Sequence, residues 1–420
     1  MIALALLMAA QAPTVEKLTL EEAIARALKN NPAVDAARLN ALAANQMPIQ
    51  VRSALLPQLS GVLSGAGAPD ETRIGAGGLN NPRVLSRLGM GVTINQLVLD
   101  FGRTARLTEG AELRAQAEGE AARGTRGQVV LQVSAAYLAV LRAQTVERVA
   151  ARTVEARRTV LDQVSALASS KLKSELDVRF AEVSLAEAEL LVATARNERD
   201  AALADLSAAM GMRGPAAFEL VEPPPPVAPS ADLPALIDMA VARNPEIGQR
   251  RHLLDAALRQ AEAERLARLP SISAIASAGV VPAHTDRFVR DTYAAAGVNV
   301  TLPLFTGRNL ESRRAEAQLR AQAAEKTLRD SENRVARNVG VSLLNTRTSL
   351  ERLELAGRLE ERSRQALELS QLRYDLGLSS IVELTQSQLA LVNAEIQMAA
   401  ARYDLLLQQA ILDFHLGSIQ

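Results

Sequence analysis

At 420 residues the chain has room for two or three ordinary domains, yet aromatics are only 2% and tryptophan is absent, so a conventional globular core is poorly supplied. Basic and acidic residues number 47 each, mixed throughout, which leaves no basic face for a nucleic-acid partner. The lack of cysteine excludes disulfides, thiolate chemistry, zinc–thiolate sites and a lipid anchor on an amino-terminal cysteine.

The chain begins with an apolar run, Ile2 to Ala10, and Ala10-Gln11-Ala12 has the small-x-small form of a cleavage site. Residues 1–12 read as a truncated export signal without its basic region; a buried apolar start to the first helix is the alternative. A first repeat then spans 13–220. Thr19 followed by Glu22 is a capping box opening a helix over 18–56, which Pro57 stops. Small residues over about 58–67 read as a strand, and a turn-rich stretch, Pro69 to Pro82, follows. The next strand, about 86–99, is the clearest: Leu88, Met90, Val92 and Ile94 alternate with Gly89, Gly91, Thr93 and Asn95. Leu88 to Val98 is eleven residues, within the ~9–11 that a tilted strand needs to cross a bilayer.

After Gly102-Arg103 a helical region covers 103–211, folded back on itself at Ser169-Ser170-Lys171. Its first arm, Arg103 to Ser169, would reach about 100 Å at ~1.5 Å per residue. Gly119, Gly124 and Gly127 predict a bend or interruption early in that arm. Val149, Thr153, Ala156, Val160, Val164 and Leu167 give it a helical stripe. Residues 221–231 are a proline-rich linker, semi-rigid by composition.

A second repeat, 232–420, has helices over 233–268 and 308–416 and strands at about 271–281 and 292–305. Its helical region turns at Leu376-Gly377-Leu378-Ser379. Its last stripe, Leu389, Val392, Ile396, Ala399, Tyr403, Leu406 and Ala410, has the 3.5-residue period of a coiled-coil seam. The two repeats are copies of one unit. Asn31-Pro32 and Leu56-Pro57 recur as Asn244-Pro245 and Leu269-Pro270, and Gly91-Val92 and Gly211 recur as Gly297-Val298 and Gly417. The fold class is therefore mainly α with a small β part, built as a duplicated helix–strand–strand–helix–helix unit.

No stretch after the first has ~18 uninterrupted apolar residues, so a membrane would be crossed by strands. Four strands cannot close a barrel, since the smallest have about eight, and open edges do not survive in lipid. Several chains would have to share one barrel.

Over nearly its whole length the chain resembles the TolC-like outer membrane efflux proteins. The marks are Leu18-Thr19-Leu20-Glu21-Glu22-Ala23, Asn30-Asn31-Pro32, Leu55-Leu56-Pro57, Gln96 to Arg103, Leu302 to Arg308, and Arg373-Tyr374-Asp375-Leu376-Gly377-Leu378-Ser379. The resemblance implies a homotrimer in the outer membrane, with a shared twelve-stranded β-barrel continued by a long helical barrel through the periplasm. It also implies a passive exit duct, not an enzyme, without cofactors. Its partners would be outer membrane lipid, a periplasmic adaptor protein and an inner-membrane transporter. Two departures stand out: Leu97-Val98-Leu99 replaces the usual Pro-Leu-Phe, and the first hairpin turn lacks the glycine of the second, so its adaptor contact should differ.

The resemblance also implies the sites. Asp177, Glu383 and Gln386 would line the periplasmic aperture, Glu383 as a ring of three carboxylates favouring cations. Lys171, Leu172, Ser174, Gly377, Leu378, Ser379 and Ser380 would form adaptor-contacting tips. Gly102, Arg103, Gly307 and Arg308 mark the strand-to-helix passages. The bland reading of Glu383 is a solvated helical residue in an ion pair. No catalytic set is visible: His252, His284 and His415 are scattered, Gly75 to Gly78 sit in a loop, and Met210 and Met212 read as packing rather than a soft-metal site. The rival reading is a soluble periplasmic coiled-coil scaffold without a pore, which the missing Trp/Tyr girdle favours and the duplicated strands do not explain.

Overall fold

The computed structural model describes residues 16–69, 86–214, 216, 218–224, 232–284 and 291–419. The signal-like segment 1–12, the Gly75–Gly78 run, most of both inter-strand turns and most of the linker 221–231 lie outside the described residues. The described parts form two compact units, one from Met1–Arg38, Ala121–Ile247 and Glu332–Gln420, the other from Leu39–Glu120 and Gly248–Ser331.

In the first unit a short strand, β1 (Glu16–Leu18), pairs in parallel with β4 (Phe218–Leu220), a sheet that the sequence reading missed. Tyr137, fully buried, directs its hydroxyl at the carbonyls of Leu18 (2.8 Å) and Val221 (2.6 Å). Around it pack Leu18, Ala23, Ala27, Val133, Val140 and Met210, so Met210 is a core residue. Glu222, at the start of the linker, accepts hydrogen bonds from Arg402 and, at 3.1 Å, from Tyr403.

Thr19 and Glu22 close the capping box, with Glu22 N–H donating to Thr19 Oγ1 (3.2 Å) and Thr19 N–H to Glu22 Oε2 (2.9 Å). The single helix expected over 18–56 is nonetheless in pieces: α1 (Leu20–Asn30), α2 (Pro32–Ala44), α3 (Met47–Arg52) and a 3-10 turn, Ser53–Leu55. Proline disfavours the helical conformation in the residue before it, and Asn31 is extended at ψ 121°. The stretch expected as 233–268 divides in the same way, into α6 (Leu233–Arg243) and α7 (Pro245–Leu266), with Asn244 at ψ 123°.

These breaks are the joints of the repeat. Asn31 Oδ1 accepts from Ala33 N–H (2.9 Å), capping α2, while its Nδ2 donates to Ala209 O (2.9 Å) at the end of α5 (Glu175–Ala209). Asn244 repeats both bonds, to Glu246 N–H (2.9 Å) and to His415 O (3.2 Å) at the end of α9 (Ile381–His415). Gly211 and Gly417 leave those helices at φ +77° and +70°, and a Cβ on either would lie 2.6–2.8 Å from the backbone of Asn30 or Arg243. The repeated Asn-Pro and the repeated Gly are two halves of one contact.

The two long arms are α4 (Arg103–Ser169) and α8 (Asn309–Asp375). The interruption expected in α4 does not occur, and the helix runs unbroken through all three glycines; of these only Gly127 is closely packed, where a Cβ would be 3.4 Å from the Phe414 ring. The helical regions expected as 103–211 and 308–416 are each two helices around a tight turn. By averaged composition α4 also holds an apolar stretch long enough to cross a membrane, but half of that stretch is buried inside the fold.

In the second unit, β2 (Gln58–Ala66), β3 (Arg87–Leu99), β5 (Ser271–His284) and β6 (Thr292–Thr301) form one antiparallel sheet in the order β2-β3-β5-β6. β6 stops short of the expected 305 because Pro303 has no N–H to give a ladder. β5 runs past 281 to His284, opposite Arg87. Pairs such as Leu59↔Ile94, Ile94↔Ala276 and Ala276↔Ala296 put apolar residues on one face, while Ser60↔Thr93, Thr93↔Ser277 and Ser273↔Asn299 put small and polar ones on the other. Every residue of β2 and β6 is exposed, and among the described residues each of these strands has one neighbour and one open edge. Beyond the sheet, Arg106, Glu109, Arg259 and Glu262 alternate in a square of ion pairs tying α4 to α7.

Candidate functional site: the two hairpin tips

Both tips belong to the first unit and are built alike. In the first, Lys171 takes the left-handed conformation (φ +61°), its N–H donating to Ala168 O (2.9 Å) and that of Leu172 to Leu167 O (2.9 Å). In the second, Gly377 (φ +71°) donates to Tyr374 O (3.0 Å) and Leu378 to Arg373 O (2.8 Å). The same paired closure of a helix end is made with glycine in one tip and with lysine, at a steric cost, in the other. Leu172 and Leu378 project at 70% and 66% exposure. Beside the second tip, Glu368, Leu369, Leu372 and Asp375 line a groove of about 630 Å³.

Ser174 and Ser380 cap the returning helices, and Asp177 and Glu383 both stand three residues later. Asp177 is absorbed by its cap: its carboxylate accepts from Ser174 N–H (3.0 Å) and Ser174 Oγ (2.9 Å). Glu383 gives its N–H to Ser380 Oγ (3.3 Å) but turns its half-exposed carboxylate to Arg373 Nε, 3.3 Å away. Gln386 is exposed, as is Phe180 in the first hairpin. The Glu383 carboxylate is thus ion-paired within its own chain, as the bland reading required, on a face that is still open to solvent.

The tips touch each other through Val160 and Val164 of the helical stripe and through Tyr374, which the sequence reading had named only as part of a family motif. Tyr374 is buried with Val160, Val164, Ile381 and Leu384, and the Lys173 ammonium lies 4.2 Å from its ring centre. Its hydroxyl has no hydrogen-bond partner among the described residues. Burial first, then the charges of Asp177 and Asp375, hold the Tyr374 hydroxyl above its ordinary range. Arg157 of α4 is also buried, its guanidinium reaching Thr385 O of α9 (3.4 Å), and burial lowers its pKa against the pull of Glu187. Its signal was present in the spacing: Arg157, Val160 and Val164 follow a seam one residue out of step with Ala156. Ser379 is only partly exposed, and its hydroxyl is buried without a partner among the described residues.

Residues 23–212 and 236–418 match the sequence profile of a family described as outer membrane efflux protein. The chain is 24% identical over 405 residues to alkaline protease secretion protein AprF of Pseudomonas aeruginosa, covering 93% of this chain and 82% of that protein. It is 25% identical over 393 residues to outer membrane protein TolC of Escherichia coli, covering 88% and 76%. It superposes on the Campylobacter jejuni CmeC outer membrane channel with a TM-score of 0.78 at 19% identity, over 95% of this chain and 85% of that one. For the open state of the Neisseria gonorrhoeae MtrE outer membrane channel the values are 0.77 and 22%, over 95% and 88%.

Proposed function

The chain belongs to the outer membrane efflux protein family, and from that premise we propose that three copies share one barrel and form a passive exit duct. In this reading the duct docks by its helical tips onto a periplasmic adaptor that links it to an inner-membrane transporter. The observation that carries it is the four-stranded sheet, with one apolar face exposed and both edges open. Such a sheet is stable neither in water nor in lipid until its edges are paired and its apolar face is in the bilayer. The exposed Leu172, Leu376 and Leu378 support the tips as docking points. The tips are unequal, the first carrying Lys171 and Lys173 and the second Gly377 with Ser379 and Ser380, which fits two different adaptor contacts. Gly102-Arg103 and Gly307-Arg308 mark the passage from membrane to periplasm. We read Asp177, Glu383 and Gln386 as lying at the periplasmic mouth, where symmetry would repeat each of them three times.

The test is conduction by the purified protein in planar bilayers. Discrete open-channel steps are expected, and a protein that inserts without conducting contradicts the duct. Glu383→Ala removes three carboxylates and leaves three Arg373 guanidinium groups uncompensated, so selectivity should move away from cations, and Glu383→Lys should move it further. Substitutions at Glu368 and Glu395 should change it far less. Unaltered selectivity in both Glu383 variants would move the aperture elsewhere.

A further inference from the structure

The Gly-Arg passages belong to a wider pattern at the four junctions between strands and helices. The register pairs Gln58 with Asn95, Leu99 with Ile272 and Ser271 with Thr301, so all four junctions lie at one end of the sheet. Each carries an exposed apolar side chain within four residues of an arginine. Leu56 follows Arg52, and Phe101 precedes Arg103. Leu269 follows Arg268, and Phe305 precedes Arg308. Phe305 and its neighbour Leu304 are each 88% exposed, and Leu56 is 59% exposed. Phe101 follows β3, an interior strand, so its 46% exposure does not come from an unpaired sheet edge.

The carboxylates nearby are already engaged. Asp100 accepts from the N–H groups of Gly102 (3.1 Å) and Thr104 (2.6 Å), and Glu311 pairs with Arg268 (3.4 Å). Among the described residues, Arg52, Arg103 and Arg308 have no carboxylate partner, and the Nε of Arg103 is buried without an acceptor. Arg106 and Arg259 of the same unit are by contrast paired with Glu109 and Glu262 in a closed square. Three of the four junctions therefore hold an arginine without a carboxylate partner beside an exposed apolar side chain, and the fourth holds Arg268 with Glu311.

We propose that these junctions form a ring that binds the phosphates of anionic phospholipid in the leaflet on the helical side of the membrane. The inference rests on the reading of the sheet as membrane-spanning, because the ring lies at one end of that sheet. Leucine and phenylalanine at a strand end lie at the hydrocarbon boundary, and an arginine beside them extends its guanidinium to the phosphate level. A planar guanidinium gives a phosphate two donors at once. The ring would then do at one end of the barrel the work of the missing Trp/Tyr girdle. A basic residue near an anionic bilayer surface strengthens association about fivefold.

The test is native mass spectrometry of the detergent-purified full chain, offered phosphatidylglycerol or phosphatidylcholine of equal chain length. The wild type should retain phosphatidylglycerol preferentially. Arg52→Gln, Arg103→Gln and Arg308→Gln together should lower that retention more than tenfold and leave phosphatidylcholine unaffected. Lysine at the same positions should restore most of it. Arg308→Gln alone, expected to lose about fivefold, serves if the triple variant does not fold. Equal retention of the two lipids by the wild type, or wild-type retention by the glutamine variants, overturns the proposal. So does a smaller number of chains per particle with lipid retention unchanged, which would make the ring a contact between copies. Conduction by the wild type is recorded separately: its absence counts against the duct and not against the lipid site.

Discussion

Replacing Gly211 or Gly417 with alanine is expected to destabilise the protein by on the order of 3 kcal/mol at either site. Two costs add. The residue is held at φ near +70°, where an L-residue loses about 1–2 kcal/mol, and the new Cβ would press on the backbone of Asn30 or Arg243. The backbone there cannot yield freely, because Asn31 and Asn244 tie it to the ends of α5 and α9. Thermal unfolding of the detergent-extracted protein, followed by its helical signal, reads the effect. Gly119→Ala is the control: it lies in mid-helix with no atom near the added Cβ, and should be neutral or gain up to ~1 kcal/mol. A Gly211→Ala protein that melts with the wild type would mean that the joint does not hold the repeat together.

Tyr137→Ala should cost about 3–5 kcal/mol, since it empties a fully buried aromatic site at the centre of the first unit. Tyr137→Phe separates packing from hydrogen bonding. It keeps the ring and removes the donor to Leu18 and Val221, for a loss of about 1–3 kcal/mol. The loss should appear locally, as faster amide exchange at Leu18 and Val221, before any change in the hairpins. Unchanged exchange at those two amides in Tyr137→Phe would show that the hydroxyl does not clasp β1 to β4.

What could be read in the sequence was whatever depends on spacing within one segment. The capping box at Thr19, the alternation along Leu88 to Ile94 and the extents of α4 and α8 are local patterns, although the three glycines of α4 wrongly suggested a break in it. The family followed from the motifs in their order. The Asn-Pro breaks were quoted as repeats yet read through as helix, because the role of Asn31 and Asn244 depends on partners 178 and 171 residues away. The β1–β4 pair was missed for the same reason: three-residue strands have no period of their own and are fixed by Tyr137. In α9 the stripe chosen from Leu389 includes the buried Ala399 and Tyr403, but Leu389 itself is half-exposed, while Ala394, Leu405 and Leu412 are buried. A helix with neighbours on two sides carries two apolar seams, and period alone does not say which one the same chain covers. At the candidate site the positions of Asp177 and Glu383 after their capping serines were legible. Their different uses, one in a cap and one with Arg373, depend on side-chain geometry.

The central claim is that the open sheet edges are closed by other copies of the same chain. The mass of the protein extracted from the outer membrane, measured by light scattering with the detergent contribution subtracted, tests it most directly. The account predicts a single species at three times the 44.8 kDa chain mass. A well-folded species at the mass of one chain, with its strand content intact, would contradict it.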